Sequence, residues 1–369
     1  MSDSWGNQLK LTIFGESHGP AIGMVLDGLP AGIPLDEEEI NREMKRRAPG
    51  QNSISTTRKE ADRVEIVSGF YEGYTTGSAL CGIIKNSDTR SRDYEDMKRY
   101  LRPGHADYSG KIRYGGFNDI RGGGHFSGRL TAPFLFAGAV CKQLLALQGI
   151  EVYGRAKAIG GVEDTSWDSA NLENYVLWKN TRSNDIPTFS AEASKMMEQA
   201  ILAAKDDADS LGGVVEVASF GLPAGLGNPF FDSLESEIAH LVFSVPAVKG
   251  IEFGDGFTLS EMRGSTANDS PRVQNGKILT ETNHNGGILG GITNGMPMVF
   301  RAALKPTPSI GKLQDTVDMT TMENANFVVK GRHDPCVVAR AIPVLEAVSA
   351  IAITDAWLIA NGNQQRKGE

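Results

Sequence analysis

Two sequence matches that occur in the same order constrain this chain more than any other feature. The pentapeptide GLPAG at 28–32 returns at 221–225, and SGFYEGYTTGSAL at 68–80 is matched by GGILGGITNGMPM at 286–298, with Gly73, Thr75 and Gly77 falling on Gly291, Thr293 and Gly295. One short match has little force, but an ordered pair points to an internal duplication. The expectation is a single domain over 1–369 with two similar halves, about 9–150 and 210–360, separated by a more polar insertion at about 151–209. Strand signals open each half. LKLTIF at 9–14 alternates apolar and polar residues and runs into the turn Gly15-Glu16-Ser17-His18-Gly19, while GVVEV at 213–217 leads into the second GLPAG. A helix follows each GLPAG, to about Arg47 in the first half and from about Asp232 to Phe243 in the second. Leu130 to Leu147 and Ala339 to Leu358 are apolar on all sides, the pattern of helices buried on most faces.

Charge narrows the range of partners. The chain carries a formal net charge of −8, yet between Arg99 and Arg129 six Lys/Arg stand against two acids, within a stretch that includes the glycine triplet at 122–124. A nucleic-acid surface needs basic residues over a whole face, so nucleic acid is excluded and the anionic partner should be small. The three cysteines, at 81, 141 and 336, are too few and too widely spaced for a disulfide framework or a CxxC metal pair. No apolar run is long enough to span a membrane, and MSDSWGNQLK lacks the plan of a secretion signal, so a cytoplasmic protein is expected.

Several chemistries drop out by motif. HExxH is absent, as are GxxxxGK[ST] and GxGxxG, which argues against a zinc protease centre, a P-loop and a dinucleotide fingerprint. GESHG has the wrong order for a nucleophile elbow. What remains is a set of histidines on glycine-rich turns (His18, His105, His125), the acid in Arg332-His333-Asp334-Pro335, and many arginines. That combination suits acid–base chemistry on a small polyanion, with arginines to hold it and histidines to move protons.

Taken in order, GESHG (15–19), DGLPAGIPL (27–35), RPGHADYSG (102–110), RGGGHFSGR (121–129), NHNGGILGGI (283–292), KPTPSI (305–310) and GRHDPC (331–336) resemble the chorismate synthase family over nearly the full length. The resemblance implies an α+β fold, a β-α-β sandwich with helices between antiparallel sheets, assembled as a homotetramer. It also implies a carbon–oxygen lyase that converts 5-enolpyruvylshikimate 3-phosphate to chorismate and phosphate by 1,4-anti elimination. Reduced FMN is required without net redox change, and NAD(P)H is a candidate reductant for that flavin. By similarity His18 donates a proton to the leaving phosphate, His105 stands beside the flavin, and Asp334 acts with it in removing the ring proton. Cofactor contacts map onto His125, Phe126, Ser127, Ala247, Gly290, Lys305, Pro306, Thr307, Pro308, Ser309 and Arg332. Substrate contacts map onto Arg46, Arg47, Arg58 and Arg129, among which Arg46 has the strongest alternative as a structural charge. Departures from the commoner family pattern are His125, Phe126, Gly128 and Leu130 in the glycine loop, Ala48 and Ser53 in the arginine loop, and Pro246.

Overall fold

Alternating apolar residues pair the first strands, and the same pairing scheme recurs in the second half. The computed structural model describes residues 3–50, 54, 62–86, 96–182, 184–329, 331 and 333–364. The first half runs through β1 (Ser4–Trp5), β2 (Lys10–Gly15), β3 (Ala21–Asp27), α1 (Glu37–Arg47), β4 (Val64–Ser68), β5 (Phe70–Tyr71), β6 (Tyr74–Thr75), β7 (Leu80–Lys85), α2 (Asp107–Arg113) and α3 (Thr131–Ala146). Then come β8 (Glu151–Ile159), β9 (Val162–Glu163), α4 (Tyr175–Thr181), α5 (Ala191–Asp206), β10 (Gly213–Phe220), α6 (Leu234–Phe243), β11 (Val248–Phe253) and α7 (Gly264–Ala267). The hairpin β12 (Pro271–Gln274) and β13 (Lys277–Thr280), the small pair β14 (Ile288–Leu289) and β15 (Ile292–Thr293), β16 (Met298–Leu304), the hairpin β17 (Gln314–Asp318) and β18 (Glu323–Phe327), and α8 (Val338–Gln364) complete the chain.

Two five-stranded antiparallel sheets form, ordered β1-β2-β3-β7-β4 and β11-β16-β10-β8-β9. Read from the hairpin outward, β2-β3-β7-β4 in one sheet matches β8-β10-β16-β11 in the other, so the halves share strand order. The turns share their bonds as well. Thr75 Oγ1 donates to Pro30 O (2.6 Å) and accepts from Ile33 N (2.9 Å), and Thr293 Oγ1 donates to Pro223 O (2.7 Å) and accepts from Leu226 N (2.9 Å). The repeated threonine is therefore a staple that ties each GLPAG turn to its small hairpin.

Helices α3 and α8 fill the space between the sheets, α3 against β3 and β7, α8 against β8 and β10. That position explains their apolar composition on all sides. Their backbones meet where a Cβ on Gly138 would lie 2.2 Å from the Cβ of Ala347, a contact only glycine permits. Residues Val338–Asn361 are long and apolar enough to cross a membrane, but 78% of that window is buried inside the protein, as befits a core helix. Asp355 on α8 accepts hydrogen bonds from Gln8 N (2.8 Å) and Leu9 N (2.6 Å), which fixes the start of the first sheet to the central layer.

The expected insertion at 151–209 is corrected by the second sheet. Its opening residues are β8, a core strand paired along its length with β10. Its Arg155 is fully buried, paired with Asp164 and Glu216. The remainder of the segment covers that sheet: Trp178 and Phe189 pack with Tyr153, Ala218 and Phe220 in a small second core.

Candidate active site

Local sequence sets the site's first wall. Asp36 caps α1 by accepting from Glu38 N (2.8 Å) and Glu39 N (3.2 Å), and three acids in the first turn with Lys45, Arg46 and Arg47 in the last complement the helix dipole. This delivers Arg47 to the start of α3, where its Nε donates to Thr131 Oγ1 at 2.9 Å. Arg129 stands beside it, with Nε donating to Asn86 Oδ1 at 3.2 Å. Asp62 joins the two guanidiniums, one carboxylate oxygen to each. Burial alone would push the Asp62 carboxyl up, but the guanidiniums of Arg47 and Arg129 outweigh it and hold it below the ordinary carboxylate range. Arg340 on α8 donates to the backbone oxygen of Arg47 (3.0 Å) and pairs with Asp334.

The glycine loop forms the second wall. Gly122, Gly123 and Gly124 all have positive φ (60°, 86° and 52°), so three successive residues turn in the left-handed region. A Cβ on Gly122 would stand 2.1 Å from His18 Nδ1. The loop thus lies directly on the His18 ring, which is buried with Nδ1 3.3 Å from Ser17 Oγ. Asn86 pins the same turn by donating to Glu16 O (3.0 Å) and Gly19 O (2.8 Å). His125 Nδ1 is 3.1 Å from Gly15 O, so the two glycine-rich turns are joined twice.

A third wall comes from the second half. His105 Nε2 lies 2.8 Å from Ser309 Oγ, and Lys305 Nζ donates to Gly104 O at 2.6 Å. Lys305 N donates to Ala247 O (2.9 Å), with Ala247 itself at a φ of 77°. Burial, with the nearby charges of Arg102 and Lys305, pushes His105 down to about 4, so its ring is neutral near pH 7. Burial lowers His333 in the same way.

These walls enclose one open cavity of about 780 Å³, within the range of small-molecule sites. Among the described lining residues five cations (Arg47, Arg102, Arg129, Lys305, Arg340) stand against one carboxylate, Asp334. An anion would be drawn in, and His105, His125, His333 and Asp334 line the same space.

The structure brings together most of the expected residues. His105, Asp334, His125, Phe126, Ser127, Ala247, Lys305, Thr307, Pro308, Ser309, Arg47 and Arg129 line the cavity; His18 lies behind Gly122, and Pro306 sits within the lining run without lining it. Arg58, Arg332 and Ser53 lie outside the described residues. Arg46 is corrected. Its guanidinium forms a two-pronged pair with Glu346 (2.7 Å and 2.7 Å) and a further bond to Glu43 (3.0 Å), because residue 46 is turned from residue 47 by one helical step and faces α8. Gly290 forms the turn between β14 and β15, at a φ of 60°, and is not among the residues that line this cavity. Pro246 and Gly128, both departures from the common pattern, do line it.

Asp62, Asn86, Arg102, His333 and Arg340 were not foreseen as site residues. Arg102 and His333 flank expected residues in the motifs, a signal that was available. Nothing local marks Asp62 or Asn86, whose partners lie 15 to 70 residues away, while Arg340 pairs with nearby Asp334 and reaches Arg47 across 293 residues.

Comparison with known proteins agrees with this geometry. The family model for chorismate synthase matches residues 9–358. A chorismate synthase from Korarchaeum cryptofilum is 47% identical over 353 residues, covering 96% of each chain, and one from Dehalococcoides mccartyi is 46% identical over 361 residues, covering 98% of each. A chorismate synthase of Methanosarcina mazei is 46% identical over 354 residues, covering 96% of this chain and 95% of its own. A crystal structure of chorismate synthase superposes with a TM-score of 0.76 at 32% identity, covering 97% of this chain and 94% of that one. With a fold, a cavity and a full-length sequence match that all agree, the chain belongs to the chorismate synthase family.

Proposed function

We propose that this cavity converts 5-enolpyruvylshikimate 3-phosphate to chorismate and phosphate, the carbon–oxygen lyase step of the shikimate pathway. The observation that carries the reading is the meeting, in one cation-rich cavity, of His105, Asp334, Arg47 and Arg129, drawn from both halves of a chorismate synthase chain. In a 1,4-anti elimination one C–H bond and one C–O bond break on opposite faces of the ring and a conjugated diene forms. Arg47 and Arg129 hold an anionic group of the substrate. By family resemblance His18 is the proton donor that makes phosphate a better leaving group; its ring lies behind Gly122, with Nδ1 3.3 Å from Ser17 Oγ. Asp334 is the carboxylate that assists removal of the ring proton, held in place by Arg340. Neutral His105, its Nε2 2.8 Å from Ser309 Oγ, presents an uncharged ring that makes hydrogen bonds in the site without adding a further positive charge to it.

The residues fit a reduced flavin. Phe126, Val245, Ala247 and Pro308 provide apolar surface for a ring system, Gly104 and Gly123 allow close backbone approach, and Lys305, Thr307 and Ser309 are suited to a phosphate-bearing chain. When bound, reduced FMN supplies electron density that weakens the allylic C–O bond and is recovered afterwards, so turnover has no net redox change. Exposed Phe230, Phe231 and Phe257, at 87%, 90% and 81%, support assembly into a homotetramer by offering apolar surface to other copies. The proposed location is the cytoplasm.

Anaerobic incubation with pre-reduced FMN and the phosphorylated substrate tests the reading. Stoichiometric phosphate and a conjugated diene absorbance are expected, and absence of phosphate release would overturn it.

A further inference from the structure

We infer that Asp62 is a positioning residue that fixes Arg47 and Arg129 as a paired anion clamp. The inference rests on the reading of the cavity as a site for a phosphorylated substrate. Asp62 itself does not line the cavity; it lies behind the two arginines that do.

Burial and connectivity carry the case. The side chains of Arg47 and Arg129 are 3% and 4% exposed, and the Asp62 carboxylate is fully buried between them. Two guanidiniums this close and this dry repel each other unless a counterion separates them. Asp62 gives Oδ2 to Arg47 and Oδ1 to Arg129, so a single carboxylate sets the spacing of both. The opposite end of each arginine is held by a neutral group, Thr131 Oγ1 for Arg47 and Asn86 Oδ1 for Arg129. Arg47 also donates to Gly128 O at 3.4 Å, so each guanidinium is held by at least two groups. Asp62 itself brings one negative charge to two guanidiniums, so it orients the pair without cancelling the positive charge that the pair contributes. The backbone at Asp62 has a φ of 48°, a left-handed conformation that Asp, Asn and Gly adopt more readily than other residues. This makes Asp62→Asn and Asp62→Gly the two suitable variants, since both tolerate that backbone.

The test has two arms. In turnover with reduced FMN, Asp62→Gly should lose about 100-fold or more in kcat, on the scale of one preorganised charged contact, and formate, which fits the vacated carboxylate position, should restore about tenfold of that loss while neutral formamide restores none. Asp62→Asn, with its side chain still filling the space, should be slow and insensitive to formate. In the second arm, calorimetry on the flavin-free protein measures binding of inorganic phosphate. There Asp62→Asn should bind phosphate about tenfold more tightly than the parent protein, because loss of the Asp62 charge makes the cavity wall one unit more positive. Tighter phosphate with slower turnover is a combination that general damage to the fold does not produce. Wild-type turnover in Asp62→Gly, a loss in folded protein that formate leaves untouched, or unchanged or weaker phosphate binding by Asp62→Asn would each overturn the inference. If the parent protein releases no phosphate from the substrate, the functional reading fails, and the calorimetric arm still decides the clamp.

Discussion

Arg46 and Arg47 are neighbours in sequence and belong to two charge clusters in different places. Arg46 enters a largely buried set with Glu43, Glu346 and Lys142, with Arg182 at its edge (3.7 Å from Glu346 and 4.0 Å from Glu43), and Gly154 N also donates to Glu346 at 2.9 Å. Burial opposes ionisation of Glu43 and Glu346, yet Arg46 and Lys142 hold both below the ordinary carboxylate range. Arg47 enters the cavity wall with Arg129 and Arg340, where cations exceed acids. The first cluster fastens α1, α3 and α8 together and none of its members lines the cavity. The second borders the cavity, so its positive charge acts on that space. The difference between the two arginines is therefore one of which space the guanidinium faces, decided here by a single helical step.

Substitutions can break that contrast from either side. The largest effect is expected in the cavity: Asp334→Ala and His105→Ala should each lower kcat by about 10²–10⁴-fold, the usual range for positioned acid–base groups, while calorimetry still detects substrate binding. Next comes the cluster around Glu346. Glu346→Gln leaves Arg46, Lys142 and Arg182 sharing Glu43, and denaturant unfolding should show a loss of about 3–5 kcal/mol with KM unaltered. A kinetic change without a stability change would assign Glu346 to the binding site instead. Arg47→Ala should raise the substrate KM by roughly 10- to 150-fold, equivalent to about 1.5–3 kcal/mol of charged hydrogen bonding. Arg46→Ala should lower Tm and leave KM where it was, and a matching rise in KM for both would erase the distinction.

The smallest effect concerns pH. His105 has its folded value pushed down to about 4 from the ordinary 6.5, so between those values the unfolded chain binds more protons than the folded one. Its contribution to stability is full above pH 6.5 and is lost as pH falls towards 4. An NMR titration of the ring proton should stay flat from pH 8 down to about 5.5, about one and a half units above that folded value. A midpoint near 6.5 would show a solvated ring and remove the neutral role assigned to it.

Some of this was readable before any coordinates. The helix expected at Leu130 to Leu147 is Thr131–Ala146, and the one expected at Ala339 to Leu358 is Val338–Gln364, because helices buried on all sides announce themselves by composition. Matched Thr75 and Thr293 correctly marked equivalent turns, since a short hairpin motif carries its bonding partners nearby in the half. The motif residues His105, Lys305 and Ser309 do meet at one cavity. Reading failed where a polar residue is neutralised at long range. The segment at 151–209 reads as a polar insertion, yet it opens with a core strand whose Arg155 is buried against Glu216 on the neighbouring strand. Arg46 was placed with the substrate for the complementary reason, its acid partner Glu346 being 300 residues away.

By itself, then, the sequence pointed to the family through its ordered motifs and to the helices of the central layer through their apolar composition. Tertiary structure alone decided which charges are spent on one another and which remain for a ligand. Asp62 serves Arg47 and Arg129 across 15 and 67 residues of chain, and Arg340 reaches Arg47 across 293. Electrostatic pairing depends on distance in space and on burial, neither of which is written into the spacing of residues along the chain.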